Sequence, residues 1–215
     1  MTITSWLVSN KKLFKKVSNN LTSWRNILIL YTMKNKALFI HGLHSDSEST
    51  TGGIVADILK EYGFETIHPT FDLMNCNAAL EQMKKIIKEQ NISLVAAHSL
   101  GGFYGFVLPF DSTKILINPC LMPEKIIPGL LYPEQGEVFP ENLNQEWPAL
   151  REAAKNTDTE KSRVFGIFAK NDPLFSYAEY AQKELNFSHI RMIEGEHKPT
   201  REQLSSAIDE VFKTL

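Results

Sequence analysis

The chain has 215 residues, of which 43% are hydrophobic and 22% are charged, and its formal net charge at pH 7 is −2. These values are typical of one folded domain and exclude a disordered chain, a collagen-like repeat and a small disulfide-stapled protein. The two cysteines, Cys76 and Cys120, are too few for a disulfide framework and lack the spacing of metal ligands, and no apolar run has the length of a membrane span. We therefore expect a protein of a reducing compartment, the cytoplasm.

The first 36 residues differ in charge from the rest of the chain. They contain seven of the 23 basic residues and no acidic residue, so the remainder carries 16 basic and 25 acidic side chains. An acidic body argues against nucleic-acid binding, because contacts with phosphate need a basic surface. Within the basic segment, apolar residues recur at three- and four-residue steps between Leu13 and Leu28, a pattern typical of an amphipathic helix.

We predict that residues 1–33 are an N-terminal extension and that residues 34–215 form the folded domain. Three interpretations of the extension remain open: a helix whose residues 10–30 make weak contact with a membrane surface, a disordered tail, and a segment absent from the protein because translation begins at Met33. None of these patterns indicates the oligomeric state.

From residue 34 onward, short apolar runs alternate with segments of helical spacing. Six runs predict buried strands, at 36–41, 64–68, 92–98, 114–118, 163–169 and 189–193. Five segments predict helices, at 49–62, 77–90, 100–108, 177–185 and 201–212. The stretch 119–148 contains six prolines and is predicted to be irregular. This alternation predicts an α/β fold, with a mostly parallel sheet of about six strands and helices on both faces.

The residues that follow the predicted strands carry the functional prediction, because ligands bind at the carboxyl ends of the strands in open parallel sheets. His-Gly-Leu-His at 41–44 follows the first strand and Ser99 follows the third. Asp172 follows the fifth strand, and His197 follows the sixth. A serine, an acid and a histidine thus occur in the chain order of α/β-hydrolase triads.

These residue types suit nucleophilic catalysis. A serine hydroxyl is a weak nucleophile that needs a base, and histidine titrates near neutral pH. The Asp172 carboxylate would orient His197, and glycine two residues after Ser99 is what a sharp nucleophile turn requires. The backbone amides of Leu43 and Leu100 are the predicted oxyanion donors.

Each of these residues also has a structural interpretation. Ser99 could cap the following helix, Asp172 could form a turn, and His197 could be a solvated loop residue. Glu179 and Asp158 are rival acids, and His44 is a rival base. A metal site built from three histidines and Asp46 matches no familiar zinc spacing, and we expect no metal or organic cofactor; those histidines are His41, His44 and His98.

The irregular stretch 119–148 leaves the same sheet edge as the three candidate residues and is rich in apolar and aromatic side chains. We expect it to form the wall of an acyl pocket or a small lid, with a surface loop packed on the sheet as the alternative. The candidate substrate-binding residues are Gly42, His44, His98 and Trp147.

Five segments, IHGLHSD, AHSLGGFYG, INPCLMP, AKNDPLF and GEHKPT, resemble the YqiA/YcfP-like family of small bacterial α/β-hydrolases over residues 36–213. The resemblance implies a minimal α/β-hydrolase fold without a large cap, and esterase or thioesterase activity on short to medium acyl chains. It also implies that Ser99 is the nucleophile, Asp172 the acid and His197 the base, with the oxyanion strip at 41–43. Ala97 at the first elbow position, and the Lys-Pro pair after the histidine, depart from the family pattern.

Together these patterns predict a cytoplasmic serine hydrolase of small carboxylic esters or thioesters that works through an acyl-enzyme on Ser99. Two alternatives remain open at this stage. One is a non-catalytic ligand- or partner-binding module on the same fold, and the other is an acyltransferase whose acceptor is not water.

Overall fold

A computed structural model describes residues 35–155, 163–185 and 187–215. The predicted N-terminal extension and the rival acid Asp158 lie outside the described residues. The strands are β1 (Asn35–Ile40), β2 (Phe64–Ile67), β3 (Ile92–His98), β4 (Thr113–Ile117), β5 (Arg163–Ala169) and β6 (His189–Ile193). The helices are α1 (Thr50–Glu61), α2 (Cys76–Gln90), α3 (Leu100–Val107), α4 (Pro123–Ile126), α5 (Leu143–Lys155), α6 (Ala178–Glu184) and α7 (Arg201–Thr214). Short 3-10 helices cover Ile127–Leu130 and Pro133–Gln135.

The six strands form one parallel sheet in the order β2-β1-β3-β4-β5-β6. The sheet begins with β1, the chain then moves outward to β2 and crosses back to β3, so the direction of winding reverses between β1 and β3. A reversal of this kind opens a crevice at the carboxyl ends of the two strands. In the register, Ile40 lies opposite Ala97, which brings the residues after β1 beside the residues after β3.

Helices cover both faces of the sheet. The side chains of successive strand residues point to opposite faces and belong to two separate hydrophobic cores. In β1, Leu38 and Ile40 belong to the core beneath α2, α3 and α5. Ala37 and Phe39 belong to the core beneath α1 and α7. Strands buried on both faces read as continuous apolar runs, which is why their positions are predictable from the sequence. Of the helices described, none combines the length and the hydrophobicity that crossing a membrane requires.

Helix α5 corrects one prediction, because it begins inside the stretch whose prolines predict irregular structure and has Pro148 in its interior. A proline there removes one backbone hydrogen bond and disfavours a helix. However, Leu143, Trp147 and Arg151 recur at four-residue steps and are all buried, so packing of this stripe outweighs the local penalty. Arg151 further fixes α5 by an ion pair with Glu124 of α4 at 3.0 Å.

Candidate active site

Ser99 occupies a strained turn between β3 and α3. Its backbone has φ 56° and ψ −124°, a left-handed region that residues with a side chain rarely adopt. The surrounding backbone holds this conformation: the Ser99 amide donates to the Ile117 carbonyl at 3.1 Å, and the Ser99 carbonyl accepts from the amides of Gly102 and Cys120, both at 2.9 Å. A strained, sharp turn from strand to helix is what the motif around Ser99 predicts.

The glycines after Ser99 are required by close backbone packing. A Cβ at Gly101 would lie 2.2 Å from the carbonyl oxygen of His41 and 2.4 Å from that of Ile40. A Cβ at Gly102 would lie 2.7 Å from the Cα of Pro119. The turn can therefore sit against the end of β1 only because position 101 lacks a side chain.

Ala97 replaces the first glycine of the usual elbow motif, and the fold accommodates its methyl group. Ala97 is fully buried. A Cβ at Gly105 in α3 would lie 3.1 Å from the Cβ of Ala97. Because Gly105 has no side chain, α3 leaves room for the alanine, and the departure from the motif does not disturb the turn.

Three side chains from different strand ends form one hydrogen-bonded chain. His197 Nε2 lies 3.0 Å from Ser99 Oγ, and His197 Nδ1 lies 2.8 Å from Asp172 Oδ2. The His197 side chain is 13% exposed and that of Asp172 only 2%. With Nδ1–H donating to the carboxylate, Nε2 is left as the acceptor for the Ser99 hydroxyl, which is the arrangement a general base needs.

Asp172 is held as a carboxylate by several donors. Its Oδ1 accepts the amide of Leu174 at 2.8 Å and that of Phe175 at 3.4 Å. Burial acts to raise the pKa of Asp172, but hydrogen bonds from His197 and Leu174 outweigh it, so the pKa lies below its ordinary value. The residue thus forms the predicted turn and also reaches His197. The rival acid Glu179 is instead exposed on α6 and pairs with Lys183.

The two predicted oxyanion donors, the amides of Leu43 and Leu100, belong to residues close to Ser99. Leu100 is the first residue of α3, so its amide belongs to the helix turn whose N–H groups have no intrahelical acceptor. A Cβ at Gly42 would lie 3.0 Å from Ser99 Cβ and 3.5 Å from Ser99 Oγ, which places Gly42 beside the hydroxyl, and the next residue, Leu43, lines the same cleft. In the described part of the chain, neither the Leu43 amide nor the Leu100 amide donates to another residue. Both amides are thus available to a ligand.

His98 and Asn118 lie behind His197, the candidate base. His98, a predicted substrate-binding residue, is only 5% exposed, and its Nε2 lies 2.8 Å from the carbonyl oxygen of His197. Asn118 follows β4, is 2% exposed and donates to the same carbonyl at 3.0 Å. Sequence reasoning missed Asn118; the available signal was a polar residue directly after a buried strand.

A cleft of about 530 Å³ opens over Ser99 and His197. Its lining includes residues 42–46 and 48–51, most of which are polar, and the apolar side chains of Leu130, Tyr132 and Leu174. Residues 130 and 132 belong to the stretch predicted to form a pocket wall, and they occupy that position. Three of the predicted substrate-binding residues, Gly42, His44 and His98, also line the cleft.

Tyr132, which forms part of the cleft wall, contacts His44 on the loop after β1. His44 Nε2 lies 3.0 Å from Glu137 Oε2, and the same oxygen accepts the Tyr132 amide at 2.8 Å. The rings of His44 and Tyr132 are stacked with their centroids 4.9 Å apart. We call His44, Tyr132 and Glu137 the cleft clasp. His44 therefore pairs with Glu137, whereas the imidazole that contacts Ser99 Oγ is that of His197.

The prediction that Trp147 binds substrate is wrong. Its side chain is fully buried in the core and is absent from the cleft lining. The indole packs against Phe103 and Phe139, and its Nε1 donates to the Tyr104 hydroxyl at 3.3 Å. The side chain points inward because helix α5, which the sequence did not predict, turns this face to the core.

Other candidate groups have separate structural partners. His41 contacts Gly42 and Phe71, whereas His44 and His98 pair with Glu137 and His197, so the three histidines do not converge. Within the ranges described, no group of three or more His, Cys, Asp or Glu side chains is arranged to hold a metal ion. Cys120 is fully buried, and burial raises the pKa of its thiol, as expected for a packing residue.

No protein-family model and no curated protein sequence matches the chain. Several solved structures do. Est1E from Butyrivibrio proteoclasticus has a TM-score of 0.66 at 16% identity, over 84% of this chain and 87% of that one. The fluorophosphonate-binding serine hydrolase FphF of Staphylococcus aureus has a TM-score of 0.62 at 15% identity, over 85% and 84%. S-formylglutathione hydrolase (FrmB) of Staphylococcus aureus has a TM-score of 0.61 at 17% identity, over 85% of each chain. At these identities the similarity establishes the fold, and the prediction of an α/β-hydrolase fold is confirmed.

Proposed function

We propose that this chain is a serine hydrolase that cleaves small carboxylic esters or thioesters through an acyl-enzyme on Ser99. The observation that carries the proposal is the hydrogen-bonded chain from Ser99 Oγ through His197 to Asp172, with distances of 3.0 and 2.8 Å. It lies in a cleft lined by Leu43, and within the described residues the amides of Leu43 and Leu100 donate to no other group. Nucleophile, base, orienting carboxylate and oxyanion donors are the full set that acyl transfer requires.

The first half of the reaction forms the acyl-enzyme. Ser99 Oγ attacks the carbonyl carbon of the substrate while His197 Nε2 takes the hydroxyl proton. The negative charge that develops on the carbonyl oxygen is stabilised by the amides of Leu43 and Leu100, and each such donor contributes about 10²–10³ in turnover. The C–O or C–S bond then breaks, and His197 Nε2 gives its proton to the departing alcohol or thiol.

The second half hydrolyses the acyl-enzyme. His197 Nε2 takes a proton from water as the water oxygen attacks the acyl carbon. The new tetrahedral centre collapses, the bond to Ser99 Oγ breaks, and the proton returns to the serine. Asp172 accepts the Nδ1–H bond throughout and stabilises the imidazolium that forms twice in each cycle.

The cleft supports small substrates. A volume of about 530 Å³ lies within the range for small-molecule sites, and its apolar wall consists of three side chains. Short to medium acyl chains, the class implied by the YqiA/YcfP-like resemblance, fit this wall. One structure of the neighbour Est1E contains ferulic acid, and this extends the substrates worth testing to aromatic acyl groups. The proposal includes a cytoplasmic location and a hydrolase domain at 34–215 preceded by an extension.

A fluorophosphonate probe tests the proposal. Wild-type protein should gain one adduct, mapped to Ser99 by peptide mass spectrometry, and Ser99→Ala should gain none. Ser45→Ala is the matched control, since Ser45 lies in the same cleft but not at the turn, and it should label like the wild type. Folded wild-type protein that takes no label would favour the non-catalytic binding module. A series of p-nitrophenyl esters and acyl-CoA thioesters then defines the substrate, and added alcohols reveal acyl transfer.

A further inference from the structure

Two buried side chains converge on the backbone of the proposed catalytic histidine. His98 Nε2 lies 2.8 Å from the carbonyl oxygen of His197, and Asn118 Nδ2 lies 3.0 Å from the same atom. Asn118 Nδ2 is also 3.3 Å from the carbonyl oxygen of Glu196. One carbonyl oxygen has two lone pairs, so these two donors satisfy it completely.

The neighbouring contacts assign the donor atoms. A carbonyl oxygen only accepts, so the proton on His98 must be at Nε2. Asn118 Oδ1 accepts the amide of Ala169 at 2.7 Å, which leaves its Nδ2 as the donor. The backbone amide of Asn118 in turn donates to the Ile167 carbonyl at 2.8 Å. Asn118 is therefore anchored on β5 through both its backbone and its side chain.

The backbone of Asn118 is itself unusual. Its φ is 39°, in the left-handed region, which asparagine tolerates better than most residues with a side chain. In this conformation the chain leaves β4 at Asn118, and the side-chain amide of Asn118 faces the loop that carries His197. A strained residue that makes four specific contacts indicates that the position of this loop is controlled.

The His197 loop needs such control because it has no helix or strand structure between β6 and α7. Asp172 orients the imidazole ring, but it does not hold the backbone from which the ring projects. His98 and Asn118 do so from the ends of the two central strands β3 and β4. The rings of His98 and His197 also pack with their centroids 4.9 Å apart.

The charge state of His98 suits this role. Burial, and next the proximity of His197, lower the pKa of His98 to about 4. It therefore donates its hydrogen bond as a neutral ring and places no positive charge beside the imidazolium of His197. A lysine or arginine in the same position would supply the donor but oppose protonation of the base.

We propose that His98 and Asn118 are positioning residues that hold the His197 backbone so that its Nε2 stays within reach of Ser99 Oγ. This inference rests on the proposed hydrolase function. It assigns His98, which also lines the cleft, a role in positioning the base. Because both residues act through the His197 backbone, their loss should lower kcat and leave KM unchanged.

The test compares His98→Met with His98→Gln, two side chains of similar size. Glutamine carries an amide nitrogen close to the position of His98 Nε2, whereas methionine has no donor. With p-nitrophenyl acetate, kcat of the methionine variant should fall by about tenfold or more at unchanged KM, because a small misplacement of a catalytic group is costly. The glutamine variant should recover most of the lost activity. Thermal unfolding and circular dichroism monitor the fold of each variant.

Asn118→Asp provides a second variant of equal size. It keeps the acceptor for the Ala169 amide but replaces the Nδ2 donor with an oxygen that repels the His197 carbonyl, so kcat should fall while KM holds. The inference is wrong if folded His98→Met or folded Asn118→Asp retains the wild-type kcat, or if His98→Gln is no better than His98→Met. Wild-type protein without esterase activity and without fluorophosphonate labelling would instead overturn the proposed function itself.

Discussion

His41 donates a hydrogen bond from Nδ1 to the carbonyl oxygen of Gly42 at 2.8 Å, while its Nε2 accepts the amide of Phe71 at 2.9 Å. The C=O of Gly42 and the N–H of Leu43 belong to the same trans peptide and point in opposite directions. By holding the carbonyl, His41 therefore fixes the direction of the Leu43 amide, one of the two proposed oxyanion donors. Burial lowers the pKa of His41, consistent with a neutral ring that donates at one nitrogen and accepts at the other.

Substitution of His41 tests this relationship. We expect His41→Leu to lower kcat on p-nitrophenyl acetate by about 10²-fold, comparable to the loss of one oxyanion donor. His41→Asn is the matched control, since its Nδ2 can replace the Nδ1 donor to Gly42, and it should retain considerably more activity. Equal losses in the two variants would show that the hydrogen bond to Gly42 does not orient the amide.

Asp172 gives stability a pH dependence of defined sign. Its pKa in the folded protein lies below the ordinary carboxyl value, because hydrogen bonds from His197 and the Leu174 amide outweigh the effect of burial. The stabilisation is therefore present above the unfolded-state pKa and is lost as the pH falls through the folded-state pKa. In urea denaturation at a series of pH values from about 5 down to 2, the unfolding free energy of wild type should fall more steeply than that of Asp172→Asn. Parallel curves for the two proteins would contradict this prediction.

The strand ends explain how much of the site could be predicted from the sequence. Continuous apolar runs mark buried parallel strands, and a parallel sheet brings all its carboxyl ends to one edge. The topology alone therefore predicts that Ser99, Asp172 and His197 come together, although they are far apart in the chain. The distances of 2.8 and 3.0 Å agree with that expectation.

Contacts that depend on loop conformation could not be predicted in this way. Asn118 and His197 are joined across 79 positions of sequence, and His44 and Glu137 across 93. Neither pair has a periodicity that would reveal it. The position of Trp147 was mispredicted for a different reason. Pro148 disfavours a helix, whereas the four-residue spacing of Leu143, Trp147 and Arg151 favours one, and packing decides whether a marginal helix forms.

Trp147 should affect stability and not substrate choice. Its side chain is fully buried between Phe103 and Phe139, so Trp147→Ala should cost about 3–5 kcal/mol of unfolding free energy. The relative rates on p-nitrophenyl esters of different chain length should stay as in wild type, because the indole is not in the cleft lining. Trp147→Phe keeps an aromatic ring and should lose less stability. A changed chain-length preference in folded Trp147→Ala would contradict this prediction and indicate that Trp147 contacts the substrate.

The cleft clasp should control substrate size. Glu137 Oε2 is shared by the His44 ring and the Tyr132 amide, so its removal frees the Tyr132 wall on one side of the cleft. We expect Glu137→Ala to raise the ratio of kcat/KM for hexanoyl over acetyl esters by about tenfold or less, since methylene-sized differences in a pocket have effects of this order. Thermal stability should change little, because the ion pair is partly exposed and screened by solvent.

Glu134→Ala is the control for this prediction, because Glu134 is an exposed carboxylate in the same segment and does not line the cleft. It should leave the chain-length profile unchanged. His44→Ala removes the other half of the clasp, so it should reproduce the effect of Glu137→Ala, and the double variant should show no further change because both act through the same contact. Wild-type profiles in both single variants would mean that Tyr132 is held by the remaining packing of the wall and that the clasp has no role in specificity.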